Sequence, residues 1–159
     1  MASHWFPSET RGATIKGYRN ENIEDQSFEN DRFDCVISLD VTEHIFRPDA
    51  AYREVFRTLR PGGYYIHTFP IEKRQAEAVI DRARLLQNGT VEHLVAKPEY
   101  HGNPIDLGGS LVTKNYGYDI GQQIAEWTPF DVEISRFWDR TRGLIGAYTE
   151  VVVCRKPGG

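Results

Sequence analysis

Between Phe33 and Gly63 the chain reads FDCVISLDVTEHIFRPDAAYREVFRTLRPGG, and few folds accommodate this order of signals. The run Phe33 to Leu39 is almost continuously apolar and includes the β-branched pair Val36 and Ile37, the pattern of a strand covered on both faces of a sheet. A helix is expected to start near Asp49, an N-cap residue beside Pro48, because Tyr52, Val55, Phe56 and Leu59 then share one face. Pro61 cannot continue that helix, and Gly62-Gly63 supplies a permissive turn. Strand, turn, helix and stop in this order predict an α/β fold with parallel strands. Asp40, Glu43 and His44 then crowd the carboxyl edge of the strand, where ligands bind in open α/β sheets.

The flanking segments fill out a single domain over residues 1–159. Met1 to Gly17 shows no period and reads as an irregular N-terminal segment, and Tyr18 to Glu24 as a short polar strand or extended loop. Tyr64 to Phe69 is strongly β-prone and should lie parallel to the first strand through a right-handed crossover. Glu72 to Leu86 repeats Ala76, Val79, Ile80, Ala83 and Leu86 at helical spacing and predicts a surface helix. Residues 87–118 lose all periodicity and are rich in Gly and Pro, as in a lid or binding loop. That loop opens on an Asn88-Gly89 turn and carries His93, Tyr100, His101, Asn103 and Asp106. Asp119 and Gln122 suggest a capping pair for a short helix through Trp127. Phe130 to Trp138 and Ala147 to Arg155 read as a final antiparallel strand pair.

Composition removes several classes of function. A net charge of −4 without a basic stripe argues against nucleic-acid or anionic-membrane binding. No stretch is long enough to span a bilayer, and the first residues lack the regions of a signal peptide, so a cytoplasmic location is expected. Cys35 and Cys154 fall in expected strands and read as small buried hydrophobes rather than a disulfide. Gly12 and Gly17 are spaced as in a phosphate loop, yet Tyr18-Arg19 stands where Lys-Ser/Thr is needed, and no Gly-x-Gly-x-x-Gly occurs. His44, His67, His93 and His101 show no metal-ligand spacing, so no metal is expected. On residues alone, Glu43 and His44 could equally cap the helix or pair with Arg47, and Asn22 to Glu24 could be a plain polar loop.

Phe33-Asp34, Val36, Ser38, Val41, Glu43-His44, Ala51, Glu54, Arg57 and Leu59 to Gly63 together resemble the class I S-adenosylmethionine-dependent methyltransferase domain. The resemblance is to its broad small-molecule group, of the methyltransferase type 11 kind. It implies a partial Rossmann-like sheet, parallel strands with an antiparallel C-terminal pair, and helices on the faces. It also implies S-adenosylmethionine as methyl donor and a small-molecule acceptor. In the family register Asn22 takes the place of the acid that approaches the adenine, followed by Ile23 and Glu24, while Ser38 and Asp40 face the donor's amino-acid portion. Glu43 and His44 then project toward the acceptor, with His44 as general base, and the loop carrying Tyr100 and His101 shapes the acceptor pocket.

The Gly-rich turn and ribose-binding acid of the family have no counterpart before Tyr18, so the resemblance is to the later part of a domain. Three readings follow. The chain is an enzyme completed by dimerisation or a partner subunit, a non-catalytic interaction or ligand-binding module, or a fragment of a longer enzyme. The Phe33 to Leu39 strand is left with an unpaired hydrophobic edge that a homodimer, another subunit or the N-terminal segment folding back is expected to cover.

Overall fold

The computed structural model describes residues 1–103 and 108–158, so Asp106 of the expected binding loop lies outside the described residues. Its centre is a four-stranded sheet built from β1 (Phe33–Leu39), β2 (Leu59–Thr68), β3 (Asp131–Arg136) and β4 (Glu150–Arg155), in the order β3-β4-β2-β1. β1 and β2 are parallel and in register from Cys35↔Tyr64 to Leu39↔Thr68. β4 runs antiparallel to both β2 and β3, which is the expected C-terminal pair.

The helix α1 (Pro48–Thr58) makes the crossover between β1 and β2, and α2 (Ile120–Trp127) precedes β3. Tyr52 and Val55 of α1 meet Ile120 and Ile124 of α2 over Tyr65, Val152 and Cys154 of the sheet. All of these are almost fully buried. α1 stops where Thr58 turns its hydroxyl back to the Glu54 carbonyl at 3.0 Å and Leu59 becomes extended. The LRPGG stretch is therefore the start of β2, with Gly62 at φ +79°, a backbone conformation that suits glycine.

The N-cap of α1 differs from expectation, and that of α2 holds in position only. Arg47, not Asp49, caps α1, and Asp49 sits in the first turn paired with Arg53 at 2.6 Å. Asp119 caps α2 without a side-chain bond, its carbonyl receiving the Gln122 and Gln123 amides instead.

The expectation that β1 is covered on both faces holds for one face only. Val36 and Ser38 point toward the helices, whereas Cys35, Ile37 and Leu39 are exposed, the last two at 65%. Cys35 is thus no buried hydrophobe, although Cys154 is; both are free thiols. Among the described residues β1 pairs only with β2 in the sheet, so its outer edge is open. The N-terminal segment does not cover it. Residues 3–20 form instead a small sheet of Ser3–His4, Thr14–Ile15 and Tyr18–Asn20. Buried Asn20 organises that segment, accepting from the Phe6 amide at 2.8 Å and donating to the Phe6, Glu9 and Thr10 carbonyls.

The expected helix over Glu72 to Leu86 is absent. Val79–Asp81 is a strand paired with Lys114–Tyr116, and Ala83–Leu85 is a strand paired with Val91–His93 around the Asn88-Gly89 turn. The segment beyond residue 87 is likewise more regular than a loop, because Tyr100–His101 pairs with Ser110–Leu111.

One buried group sets a pH dependence. His67 is fully buried, stacked on Tyr65 at 4.1 Å between ring centroids, with Nε2 3.4 Å from the Tyr52 hydroxyl. Burial pushes its pKa down from 6.5 to about 3. Above pH 6.5 the ring is neutral whether the chain is folded or not. As pH falls from there toward 3, only the unfolded chain gains the proton, so stability drops by about 1.4 kcal/mol per unit. The variant His67→Phe is expected to lose that slope just below pH 6 in urea unfolding; an unchanged slope would contradict the assignment. In the same assay Leu59→Ala should cost about 2–5 kcal/mol. Ile37→Ala should cost within about 0.5 kcal/mol, and a larger loss would mean that its face is covered in solution.

Candidate functional site

Asp40 ends β1 in a left-handed conformation, φ +51°, which turns the chain sharply back over the sheet edge. A single 3-10 turn follows, Thr42–His44, and its position is fixed from the far side of the fold. The Thr113 amide donates to the Glu43 carbonyl at 2.8 Å, the Thr113 hydroxyl donates to the Ile45 carbonyl, and the Tyr116 hydroxyl donates to the Thr42 carbonyl at 3.0 Å. His44 Nδ1 lies 2.9 Å from the Leu111 carbonyl. Residues 111–116 therefore clamp the turn.

The clamp buries Glu43, whose side chain is 2% exposed and neither of whose oxygens receives a hydrogen bond among the described residues. Burial, reinforced by the charge of Asp40, pushes its carboxyl up to about 7. His44 is shifted down, chiefly by burial and against the pull of the Leu111 carbonyl. His101 Nδ1 stands 3.6 Å from Glu43 Oε1, and its Nε2 is 3.4 Å from Glu99 Oε1. The two imidazoles meet edge to face at 5.2 Å. Beside them opens a cavity of about 230 Å³ whose walls include Glu43, Glu72, Glu99, His101, Lys114 and Tyr148.

The acceptor-side residues expected from the sequence thus converge, except that Tyr100 is exposed and does not line the cavity. Three contributors went unnoticed: Leu111, Thr113 and Glu99. Nothing in their local sequence marks them, because each acts through the tertiary pairing of the 100–116 segment.

The donor-side residues are more scattered. Ser38 shares a hydrogen bond with the Tyr65 hydroxyl at 2.8 Å, and Asp40 Oδ1 accepts from the Thr68 hydroxyl at 3.1 Å. Asn22 makes a local turn by accepting the Glu24 amide at 2.9 Å, and Ile23 packs against the core. Glu24 Oε1 accepts the Phe46 and Arg47 amides at 2.8 and 3.2 Å, so it holds the entry to α1. Arg57, at the end of α1, ties Glu54 to the Phe28 and Gln26 carbonyls.

Residues 6–67 match the family model described as a methyltransferase domain. Two proteins of Botryococcus braunii are similar in sequence. Sterol methyltransferase-like 3 is 33% identical over 67 residues, covering 42% of this chain, and sterol methyltransferase-like 1 is 27% identical over 148 residues, covering 84%. The chain spans only 17% and 35% of their lengths. Among solved structures, an S-adenosylmethionine-dependent methyltransferase from Mesorhizobium loti superposes with a TM-score of 0.56 at 15% identity, over 87% of this chain and 68% of that one. A glycopeptide N-methyltransferase complexed with S-adenosylhomocysteine superposes with a TM-score of 0.53 at 14% identity, over 88% and 60%. Residues 6–67 are thus similar to the methyltransferase domain family, and the fold of the chain is the one shared by class I S-adenosylmethionine-dependent methyltransferases.

Proposed function

We propose that the chain works in S-adenosylmethionine-dependent methylation of a small molecule, and the observation that carries this reading is the cluster of Glu43, His44 and His101 beside the cavity at the carboxyl edge of β1 and β2. Methyl transfer from a sulfonium is an in-line displacement, so the protein chiefly holds two reactants in line and disposes of the acceptor's proton. The donor is assigned to the edge formed by Ser38 and Asp40, with Asn22, Ile23 and Glu24 beyond it. The acceptor is assigned to the cavity, with Tyr100 at its outer rim. Glu43 and His44 dispose of the acceptor's proton, and His44 Nε2 is the lone pair available for it, because Nδ1 is occupied by the Leu111 carbonyl. The names of the curated relatives make a sterol the first acceptor to try.

The open edge of β1 and its exposed face of Cys35, Ile37 and Leu39 form an apolar template, and we assign their covering to a second copy or a partner subunit in the cytoplasm. A non-catalytic module is the less favoured reading, since both the sequence match and the shared fold are with methyltransferases.

Calorimetric titration of the full-length protein with S-adenosylhomocysteine is expected to give saturable heat, weakened by Asp40→Ala. No heat at millimolar ligand would contradict donor binding. For Glu24→Ala the expected loss is about 1.5–3 kcal/mol of unfolding free energy, the usual worth of hydrogen bonds to a charged group. If that variant kept full stability while losing only the ligand, Glu24 would be a donor contact and not a brace of α1.

A further inference from the structure

We infer that Glu43, His44 and His101 form a binding site for one divalent transition-metal ion of the zinc class. The three side chains each offer one ligand atom, and these atoms all lie within 4.8 Å of one another.

The proton positions point inward. A carbonyl oxygen only accepts, so the 2.9 Å contact with Leu111 places the His44 proton on Nδ1 and leaves the lone pair on Nε2. That Nε2 is 3.7 Å from Glu43 Oε1. For His101 the proposed site takes the tautomer with the proton on Nε2, the nitrogen 3.4 Å from Glu99 Oε1, and the lone pair on Nδ1, 3.6 Å from the same Glu43 oxygen. In that tautomer two imidazole lone pairs and a carboxylate oxygen face one another with no proton between them. A cation at their centre turns this repulsion into coordination. Metal-bound histidines characteristically give their other N–H to a backbone carbonyl or a carboxylate; His44 meets the Leu111 carbonyl in this way, and the Glu99 carboxylate stands 3.4 Å from the outer nitrogen of His101.

Burial supplies an independent observation. The Glu43 side chain is 2% exposed and aimed into the cluster, with both oxygens lacking a hydrogen bond among the described residues. A buried carboxylate without a hydrogen bond is costly, and the lysine that lines the cavity, Lys114, is already paired with Asp81. Glu99 and Asp40 add negative charge around the cluster without neutralising it.

The chemistry of the set narrows the ion. One carboxylate oxygen and two imidazole nitrogens suit Zn²⁺ and its transition-metal neighbours, whereas Mg²⁺ and Ca²⁺ take oxygen ligands. Bonds of about 2.0–2.1 Å in a tetrahedron hold ligand atoms roughly 3.4 Å apart, so the two contacts with Glu43 close by a few tenths of an ångström, and the two imidazole nitrogens, within 4.8 Å of each other, swing together around the ion. Three protein ligands leave a coordination position open, and Glu43 and His101 both line the cavity it would face. An acceptor hydroxyl placed there would lose its proton to solvent more readily. With the ion bound, His44 is a ligand rather than a base. One device builds the site: Tyr100–His101 pairs with Ser110–Leu111, so the same hairpin delivers His101 and orients His44.

The inference does not depend on methyl transfer, because ion binding is measured with no donor present. The full-length protein, stripped with a chelator, is titrated with ZnCl₂ and separately with MgCl₂ by calorimetry, and with CoCl₂ by visible absorption. One equivalent of Zn²⁺ is expected to bind, Mg²⁺ to give no saturable heat, and Co²⁺ to show absorption bands of nitrogen ligation. Loss of an outer partner costs about 10–100-fold in metal affinity, so Glu99→Gln should fall in that range and His101→Ala at or beyond it. The exposed His93→Ala outside the cluster should bind as the parent does. Thermal melts with and without Zn²⁺ guard against misfolding: the parent should be stabilised by the ion and a cooperatively melting His101→Ala should not. Substoichiometric Zn²⁺ binding, or affinity unchanged in both His101→Ala and Glu43→Gln, would overturn the proposal.

Discussion

The site depends on one interaction, the clamp that residues 111–116 place on the turn after β1. Three donors, the Thr113 amide, the Thr113 hydroxyl and the Tyr116 hydroxyl, reach backbone carbonyls of residues 42–45, across about seventy residues of sequence. Buried carbonyls must find donors, and a turn standing over a sheet edge has none of its own kind at hand. Meeting that requirement fixes Glu43 below the surface and brings the His101 hairpin against it. Without the clamp, a carboxylate and two imidazoles would relax apart into water.

A second constraint comes from the sheet. Both helices lie on one face, where Tyr52, Val55, Ile120 and Ile124 bury Tyr65, Val152 and Cys154. The opposite face of β1 is left with Ile37 and Leu39 in the open, beside an edge that hydrogen-bonds nothing further among the described residues. A large apolar face of this kind is rarely left to solvent. The fold is shared with two solved methyltransferases of which this chain spans 68% and 60%.

What was legible in the sequence followed the range of the interactions. β1, α1, β2 and the C-terminal strand pair could be located because apolar runs, helical spacing and Pro61 are local signals that agree with the tertiary fold, whereas the open face of β1 and the start of β2 at Leu59 had no such signal. The stretch from Glu72 to Leu86 misled for the same reason. Ala76, Val79, Ile80 and Ala83 have helical spacing, but pairing with Lys114–Tyr116 and Val91–His93 prevailed, and long-range pairing of this kind routinely overrides propensity. The Asn88-Gly89 signal already announced the hairpin that replaced the helix. The cluster was half legible: Glu43 and His44 were marked by their place at a strand's end, whereas the meeting of Glu43 with His101 is set by the 100–111 hairpin. Metal-ligand spacing along the chain cannot register such a convergence, and a glutamate is among the residues least expected to be buried.

The central claim is that donor and acceptor meet at the carboxyl edge of β1 and β2, over the clamped turn. Amide hydrogen exchange on the full-length protein, with and without S-adenosylhomocysteine, tests it most directly. The account predicts slower exchange on ligand binding through residues 38–46 and the Thr113 to Tyr116 strand, with the N-terminal sheet of residues 3–20 unchanged. Protection confined to other segments, with residues 38–46 exchanging as before, would contradict it.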